Sequence, residues 1–319
     1  MKYRHSTDEA VPTESVVPTK ETVRSLTQDE IQIRDKTLVA DAQNGDHNAF
    51  DQLVKECAPR IRAVLRRMIG NPDDVADVFQ DALVKAWKSL PTFRGEARFA
   101  TWLQTIAMRQ AIDFLRSKKR YRAGALVFAQ QECERTGAAA EVMSIVASPD
   151  FSFDVNEHIA CCFSCVSRSL TPELQSALVL REVYELTNDE AAKQLGITHS
   201  VLRHRVTEAR TTMMDRYDRL CALVGKQGVC YQCEALRQGA HPERRGPDPR
   251  GVLGAEDAPR EEKWQHRMAI VREAPLGEGV SARLHDKFLR YVDDFEASLA
   301  TSDSPDDIPT TASCGPGSS

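Results

Sequence analysis

The chain has 319 residues, a formal net charge of −5, 41% hydrophobic residues and 28% charged residues. This composition is that of a globular protein long enough for two domains with polar extensions. No apolar run approaches the ~18 residues that a membrane-spanning helix needs, and the first 20 residues lack the apolar stretch of a secretory signal. We therefore expect a cytoplasmic protein with no membrane partner.

Charge is distributed unevenly along the chain. Between Cys57 and Arg122 there are 14 Lys or Arg residues against 6 Asp or Glu, whereas between Ala235 and Ser319 there are 11 against 15. A basic central segment next to an acidic C-terminal segment is typical of a chain in which only one part binds the phosphates of a nucleic acid. The pattern therefore favours nucleic-acid binding by the central residues.

The first domain predicted from the hydrophobic pattern spans residues 35–122 and is helical. Residues 1–34, which precede it, are polar and contain Thr, Glu and Pro, so we expect a disordered or loosely helical extension. A turn at residues 44–46 separates the first two helices. The third helix begins at Pro72, and two aspartates follow in its first turn, where negative charge favours the helix dipole.

The last two helices of this domain carry opposite charges on their outer faces. After Pro72 the apolar residues recur at i, i+3, i+4 and i+7, which is typical of a helix with one buried face and, here, an acidic and polar outer face. A loop with Pro91 and Gly95 then leads to FATWLQTIAMRQAIDFLRSKKRYR, which combines an aromatic stripe with a basic rim.

The stretch DDVADVFQDALVKAW, followed by FRGEARFATWLQTIAMRQAIDFLR, resembles the core-binding and promoter-melting domain of bacterial sigma factors of the extracytoplasmic-function (ECF) type, sigma region 2. The resemblance implies one face that docks on the β′ coiled coil of core RNA polymerase and one that handles the minus-ten promoter element. The docking residues would be Asp77, Gln80 and Asp81. The minus-ten residues would be Arg94, Arg98, Trp102, Arg109 and Arg116. A tryptophan on an apolar stripe is more often a core residue, which is the alternative for Trp102.

Residues 123–155 are weakly patterned and predict a linker. In the resembling family this linker threads toward the polymerase active-site cleft, and a plain tether is the equal alternative. Residues 156–236 predict a second helical domain that contains a helix-turn-helix. Thr187 and Glu190 have capping-box spacing, and Gly196 suits the left-handed end of the first helix.

The second helix of this motif presents polar and basic side chains outward, a set that suits contacts with base edges and phosphates. The candidate DNA-binding residues there are Ser200, Arg203, His204 and Arg205. The segment resembles region 4 of the same sigma family, the domain that reads the minus-thirty-five element.

The nine cysteines favour metal binding or redox sensing over structural disulfides, because the chain lacks a secretory signal. HIACCFSC places one histidine and two cysteines on a single helical face, and a second C-x2-C pair follows the helix-turn-helix. The H-x3-C-x2-C part also resembles the motif of zinc-associated anti-sigma factors. Candidate metal or redox residues are His158, Cys162, Cys165, Cys221, Cys230 and Cys233. Packing as small hydrophobes is the alternative, and Cys57, Cys133, Cys161 and Cys314 have no predicted role.

Residues 237–319 form a C-terminal extension, partly disordered, that the resemblance does not cover. It begins with a Pro- and Gly-rich stretch that predicts a flexible linker. EEKWQHRMAIVREA and VSARLHDKFLRYVDDFEASLA then predict two short amphipathic helices, and marginal helices that order only on binding are an equal alternative.

These patterns predict an all-α protein with two helical domains joined by a flexible linker. Its expected function is that of a sigma factor, which binds core RNA polymerase and promoter DNA and catalyses no reaction. Promoter recognition needs no cofactor; zinc at the cysteine site and a separate anti-sigma factor are further hypotheses. One alternative is a stand-alone helix-turn-helix regulator with a metal or thiol sensor. A thiol oxidoreductase is the other, disfavoured because no βαβ pattern surrounds the cysteine pairs.

Overall fold

The computed structural model of the chain describes residues 28–118, 138–221, 223–225, 232–254, 257–274, 276 and 279–300. The regular elements of these residues are helices, which confirms the predicted all-α class. Within the same ranges, each helix is either too short or too polar to cross a bilayer.

Four helices make up the N-terminal part. They are α1 (Gln28–Gln43), α2 (His47–Ile69), α3 (Pro72–Ser89) and α4 (Phe99–Lys118), with a 3-10 turn at Leu90–Thr92. The start of α1 lies inside the extension predicted to be disordered or loosely helical, and the regular helix begins seven residues before the predicted domain; residues 1–27 lie outside the described ranges.

Side-chain caps fix where these helices begin. The Asp46 carboxylate accepts hydrogen bonds from the backbone N–H groups of Asn48 and Ala49 at the start of α2. Asn71 caps α3 in the same way, and Pro72 occupies its first turn. The shared core is apolar and includes Ile61, Leu65, Phe79, Leu103 and Ala107, none more than 2% exposed.

The central part contains α5 (Ala138–Val146), α6 (Val155–Ser167), α7 (Pro172–Leu178), α8 (Asn188–Leu195) and α9 (His199–Leu220), with one π-helical turn at Val179–Val183. Helix α5 and the residues after it lie where a linker was predicted. Val146, Phe151 and Phe153 are buried, and this anchors the segment to the core. The predicted linker is therefore too long at its C-terminal end, and residues 123–137 fall outside the described ranges.

The C-terminal part contains α10 (Gln232–Gly239), α11 (Pro249–Val252), α12 (Arg260–Glu273) and α13 (Ala282–Ala300). The last two are the predicted amphipathic helices, and both pack against α6. Trp264, Met268, Leu284 and Leu289 are at most 2% exposed. The described residues of this extension are thus integrated into the fold, which differs from the predicted flexible linker, because a few apolar side chains such as Leu253 anchor the Pro- and Gly-rich stretch.

Candidate functional site

Helix α3 presents one polar face to solvent. Its apolar side chains, which include Val75, Val78 and Phe79, are buried against α2 and α4. The predicted docking residues Asp77, Gln80 and Asp81 are all exposed. The same face continues through the exposed Val84, and at its start Asp73 forms an ion pair with Arg290 of α13 at 2.5 Å. The structure therefore leaves the predicted docking face open, with the C-terminal part beside its first turn.

The aromatic residues near the start of α4 form one cluster. The Trp102 ring lies 4.8 Å from the Phe93 ring and 5.6 Å from the Phe99 ring, measured between centroids, and is half-buried. Arg94 and Arg98 are exposed beside it, and Arg98 lies 3.7 Å from the Asp35 carboxylate. Trp102 therefore packs against two aromatic side chains while part of its own side chain stays accessible to solvent.

The second half of α4 contacts the helix-turn-helix along one side and keeps Arg109 and Arg116 exposed at the edge of this contact. Helix α4 packs against α7 and α8. The Arg116 Nε donates to a Glu173 carboxylate oxygen at 2.8 Å, and the buried amide of Gln104 donates to that of Gln194 at 3.3 Å. The Arg109 guanidinium lies beside Gly196, 3.6 Å from where a Cβ would stand. Of the predicted minus-ten residues, Arg109 and Arg116 therefore lie at an interdomain interface.

The helix-turn-helix forms as its capping signals predict. Thr187 and Glu190 make a full capping box at the start of α8, and Gly196 ends that helix in the left-handed conformation with φ of 65°. Thr198 caps α9 by accepting from the Val201 N–H at 3.3 Å. The turn therefore has the backbone geometry that its residues require.

The N-terminal half of α9 separates a buried face from a polar one. Leu202, Ala209 and Met213 are fully buried. The predicted DNA-binding residues Ser200, Arg203 and His204 are exposed, and Arg205 is half-buried. The His204 imidazole lies 3.6 Å from the Glu208 carboxylate. Donors that reach outward from the first turns of a helix are what major-groove readout needs.

The cysteines of α6 do not share one environment. Cys161 and Cys165 pack together against Leu289 of α13. A hydrogen bond with Cys161 and burial raise the pKa of Cys165 well above its ordinary value, so this thiol stays protonated. Cys162 is half-buried, packs against the main core and lies, like Cys165, near the buried Tyr217. Cys162 and Cys165 are three residues apart and so are neighbours on the helix surface, but only Cys165 joins Cys161 and Leu289, because nearly every face of α6 is buried and each face meets different neighbours.

Cys221 lies beside a buried arginine. The Arg267 guanidinium is 2% exposed, sits 3.8 Å above the Tyr217 ring, and directs Nη2 at the Cys221 Sγ, 3.6 Å away. Its charge also interacts with Cys162 and Cys233. Three of the predicted ligands thus surround a fixed positive charge.

His158 faces a second buried imidazole. The rings of His158 and His285 lie 5.6 Å apart between centroids, and the ring nitrogens of His285 have no hydrogen-bond partner among the described residues. Burial, and then the Arg267 charge, lower the pKa of His158 to about 4. Burial, followed by the His158 and Arg66 charges, lowers the pKa of His285 well below its ordinary value. Both rings are therefore neutral near pH 7.

Within the described ranges, no three His, Cys, Asp or Glu side chains gather as a metal site would require, and Cys230 lies outside those ranges. Arg267 gives a physical reason, since a guanidinium among the thiols repels a divalent cation. The sequence-based prediction did not include Arg267, His285 and Arg168 among the functional residues. The signal for Arg267 was present, because residues 264, 267, 268 and 271 follow the spacing of a buried stripe and place an arginine inside it.

A helix-turn-helix whose second helix turns donors to solvent, next to a four-helix part with an open acidic face, has the architecture of a DNA-binding transcription protein. Two family models match it, sigma-70 region 2 over residues 53–121 and sigma-70 region 4 over residues 162–213. The ECF RNA polymerase sigma-E factor of Escherichia coli K12 is 30% identical over 181 residues, which are 56% of this chain and 92% of that protein. The chain belongs to the ECF group of the sigma-70 family.

Two further relatives are similar over the same extent. The ECF RNA polymerase sigma-E factor of Haemophilus influenzae is 28% identical over 179 residues, covering 56% of this chain and 93% of that protein. The solved structure of CnrH in complex with the cytosolic domain of CnrY is 25% identical, covers 58% of this chain and 97% of that chain, and has a TM-score of 0.39. As a sigma factor the chain binds RNA polymerase, recognises promoter DNA without a cofactor and catalyses no reaction, which sets aside the stand-alone regulator and the oxidoreductase.

Proposed function

We propose that this sigma factor docks on the polymerase β′ coiled coil through Asp77, Gln80 and Asp81, and reads its promoter with two separate surfaces. Residues 35–122 would act as the region 2-like domain and residues 156–236 as the region 4-like domain. The minus-ten surface is formed by Arg94, Arg98, Trp102, Arg109 and Arg116. The minus-thirty-five surface is formed by Ser200, Arg203, His204 and Arg205. Such a factor works in the cytoplasm, where it meets polymerase.

The observation that carries this proposal is the two-faced first half of α9. Leu202 and Ala209 hold it in the core while Arg203 and His204 stand in solvent. Arginine donates two hydrogen bonds to the edge of a guanine, and such a contact discriminates by about 1–3 kcal/mol. On α4, Trp102 and its arginine neighbours can hold unstacked bases, which is how binding energy can open a duplex.

The test is transcription by a reconstituted holoenzyme of this chain with core RNA polymerase on fragmented genomic DNA, followed by sequencing of the transcript ends. Arg203→Ala and His204→Ala are each expected to lower promoter-specific initiation by about 5- to 100-fold. Arg219→Ala is the matched control, because Arg219 is exposed at the other end of the same helix. Unchanged initiation by both variants would show that α9 does not read the promoter.

We infer, as a second property, that thiol oxidation around Arg267 controls the factor, in preference to zinc. The Arg267 guanidinium brings a fixed positive charge to three cysteines, with its Nη2 3.6 Å from the Cys221 Sγ, and cysteines beside a positive charge are typical targets of peroxide. One thiolate would become a sulfenic acid with release of water. A second thiol would then condense with it to a disulfide and release a second water, so two electrons pass to each peroxide. The thiols concerned are Cys162, Cys221 and Cys233.

The assay for this property is free-thiol counting and transcription after peroxide treatment. Cys221→Ser is expected to lower the number of thiols lost and to make transcription insensitive to peroxide. Cys57→Ser is the control, because burial raises the pKa of Cys57 to about 11 and its Sγ bonds the Leu53 carbonyl at 3.2 Å. Equal thiol loss in the Cys221 variant and the wild type would remove this inference; a stoichiometric zinc in purified protein would restore the metal hypothesis.

A further inference from the structure

Helices α12 and α13 are held to the helix-turn-helix part of the chain by hydrogen bonds and apolar packing. The Glu157 carboxylate accepts hydrogen bonds from the backbone N–H groups of Val280 at 2.8 Å and Ser281 at 2.7 Å, just before α13. The Arg272 Nε donates to the Glu182 carbonyl oxygen at 2.7 Å. The apolar faces of α12 and α13 complete this contact. Helices α12 and α13 therefore form one unit with α6 and the π-helical turn.

The same segment also reaches the other domain. Arg66 of α2, which is almost fully buried, forms an ion pair with Asp286 of α13. The neighbouring Arg67 donates from Nη2 to the Ala274 carbonyl oxygen at 3.0 Å. Arg290 adds its ion pair to Asp73, at the start of α3. A C-terminal segment that the two domains share thus crosses from one to the other.

One arginine joins all three parts. Arg168, at the end of α6, forms an ion pair with Asp293 of α13 at 2.7 Å, and both side chains are buried. It also donates from Nη2 to the Ile69 carbonyl oxygen at the end of α2. Removal of one partner from a buried ion pair leaves an uncompensated charge and is strongly destabilising, so the parts that this pair joins separate only when both charges find new partners or water.

That arrangement is incompatible with simultaneous reading of two promoter elements. Helix α4, with the minus-ten residues Arg109 and Arg116, is in contact with α7 and α8 of the minus-thirty-five reader. The two elements are about 25 base pairs apart, which is roughly 85 Å of duplex at 3.4 Å per pair. The domains must therefore separate before both can bind.

We propose that helices α12 and α13 are an intramolecular clamp that holds the two promoter-reading domains closed and so lowers the affinity of the free protein for core RNA polymerase. The clamp ends beside the polymerase-docking face, since Asp73 lies one helical turn before Asp77 on α3. Polymerase that engages this face competes with Arg290 for the start of α3. The clamp rests on the proposed roles of α3, α4 and α9, but its test needs no promoter.

The test uses the full chain and three variants. Asp286→Arg places a positive charge against Arg66 and should open the clamp. Arg66→Asp combined with Asp286→Arg reverses both charges and should close it again. Glu262→Arg is the matched control, because it makes the same charge change at an exposed position of the neighbouring helix α12. Small-angle scattering gives the radius of gyration, and surface-immobilised core polymerase gives Kd.

The Asp286→Arg variant is expected to have a larger radius of gyration and to bind core polymerase at least fivefold more tightly, and the double variant and the control should match the wild type in both. An unchanged radius of gyration, or an increased one without tighter polymerase binding, would overturn the clamp. If Asp286→Arg loses helical signal in circular dichroism, the same two measurements on Arg290→Asp, a half-exposed residue, decide the matter. Polymerase binding by the wild type, however weak, keeps the sigma-factor function separate from this outcome.

Discussion

Lowering the pH from 7 to 5 is expected to weaken the fold by about 2 kcal/mol through His158 alone. Burial between α6 and α13 and the charge of Arg267 lower the pKa of this imidazole from 6.5 to about 4. The unfolded chain takes up a proton below pH ~6.5, whereas the folded chain does so only near pH 4. Stability is therefore lost as the pH falls through this window. His285 shifts in the same direction and adds to the loss.

The assay is urea denaturation followed by circular dichroism at pH 7 and pH 5, for the wild type and for His158→Phe. The phenylalanine cannot be protonated, so the variant should lose about 2 kcal/mol less than the wild type between the two pH values. His204→Phe is the control, because that histidine is exposed on α9 and its replacement should leave the full pH dependence. Carboxylates titrate alike in all three proteins and cancel in the comparison.

The reasoning would be refuted by an equal pH dependence in His158→Phe and the wild type. That result would mean that the imidazole exchanges protons as freely in the folded protein as in the unfolded chain. It would also remove the neutral His158–His285 contact as a feature of the interface between α6 and α13.

Three other changes test separate parts of the molecule. Asp293→Leu, which leaves Arg168 buried without its ion-pair partner, should lower the free energy of unfolding by about 3–5 kcal/mol in urea denaturation. Gly196→Ala should lower it by about 1 kcal/mol, because φ at this helix end is 65° and a Cβ is strained there; no loss would mean that the turn relaxes. Asp77→Lys with Asp81→Lys should weaken binding to immobilised core polymerase at least tenfold while helicity is kept, and unchanged binding would place the docking face elsewhere.

The helix-turn-helix could be predicted because its signals are local. Thr187 and Glu190 are three residues apart, Gly196 follows directly on its helix, and Thr198 directly precedes the next. Each fixes a backbone conformation through hydrogen bonds or φ within one turn. The same holds for Asn71 and Pro72 at the start of α3. Capping residues of this kind allow few other backbone conformations, so the ends of these helices can be predicted from the sequence alone.

The arrangement of the cysteines could not be predicted for the opposite reason. Helix α6 is apolar on most of its circumference, so its hydrophobic pattern does not say which face meets which neighbour. The C-x2-C spacing predicts that Cys162 and Cys165 act together. In the structure the residues that pack with Leu289 of α13 are Cys161 and Cys165. Which cysteines become neighbours depends on Leu289, more than 120 positions later in the sequence. Leu289 contacts Cys161 and Cys165 of α6 and also lies beside Gly70 of the first domain. No window of sequence contains that information.

The contacts between the C-terminal helices and the two domains include arginine–aspartate ion pairs as well as apolar side chains. Their chemistry explains why a clamp would not be purely apolar. An apolar seam of this size would be stable in the closed form only, since nothing polar would compete for it. Buried pairs such as Arg168–Asp293 contribute little net stability when formed, because desolvation offsets their attraction, but an arrangement that leaves one charge buried without the other costs about 3–5 kcal/mol. Arg66 and Arg290 add further charged contacts that a partner with its own acidic or basic groups can replace one at a time. A closed state held in this way is specific and still releasable, which is what a factor that must separate its two DNA-reading domains requires.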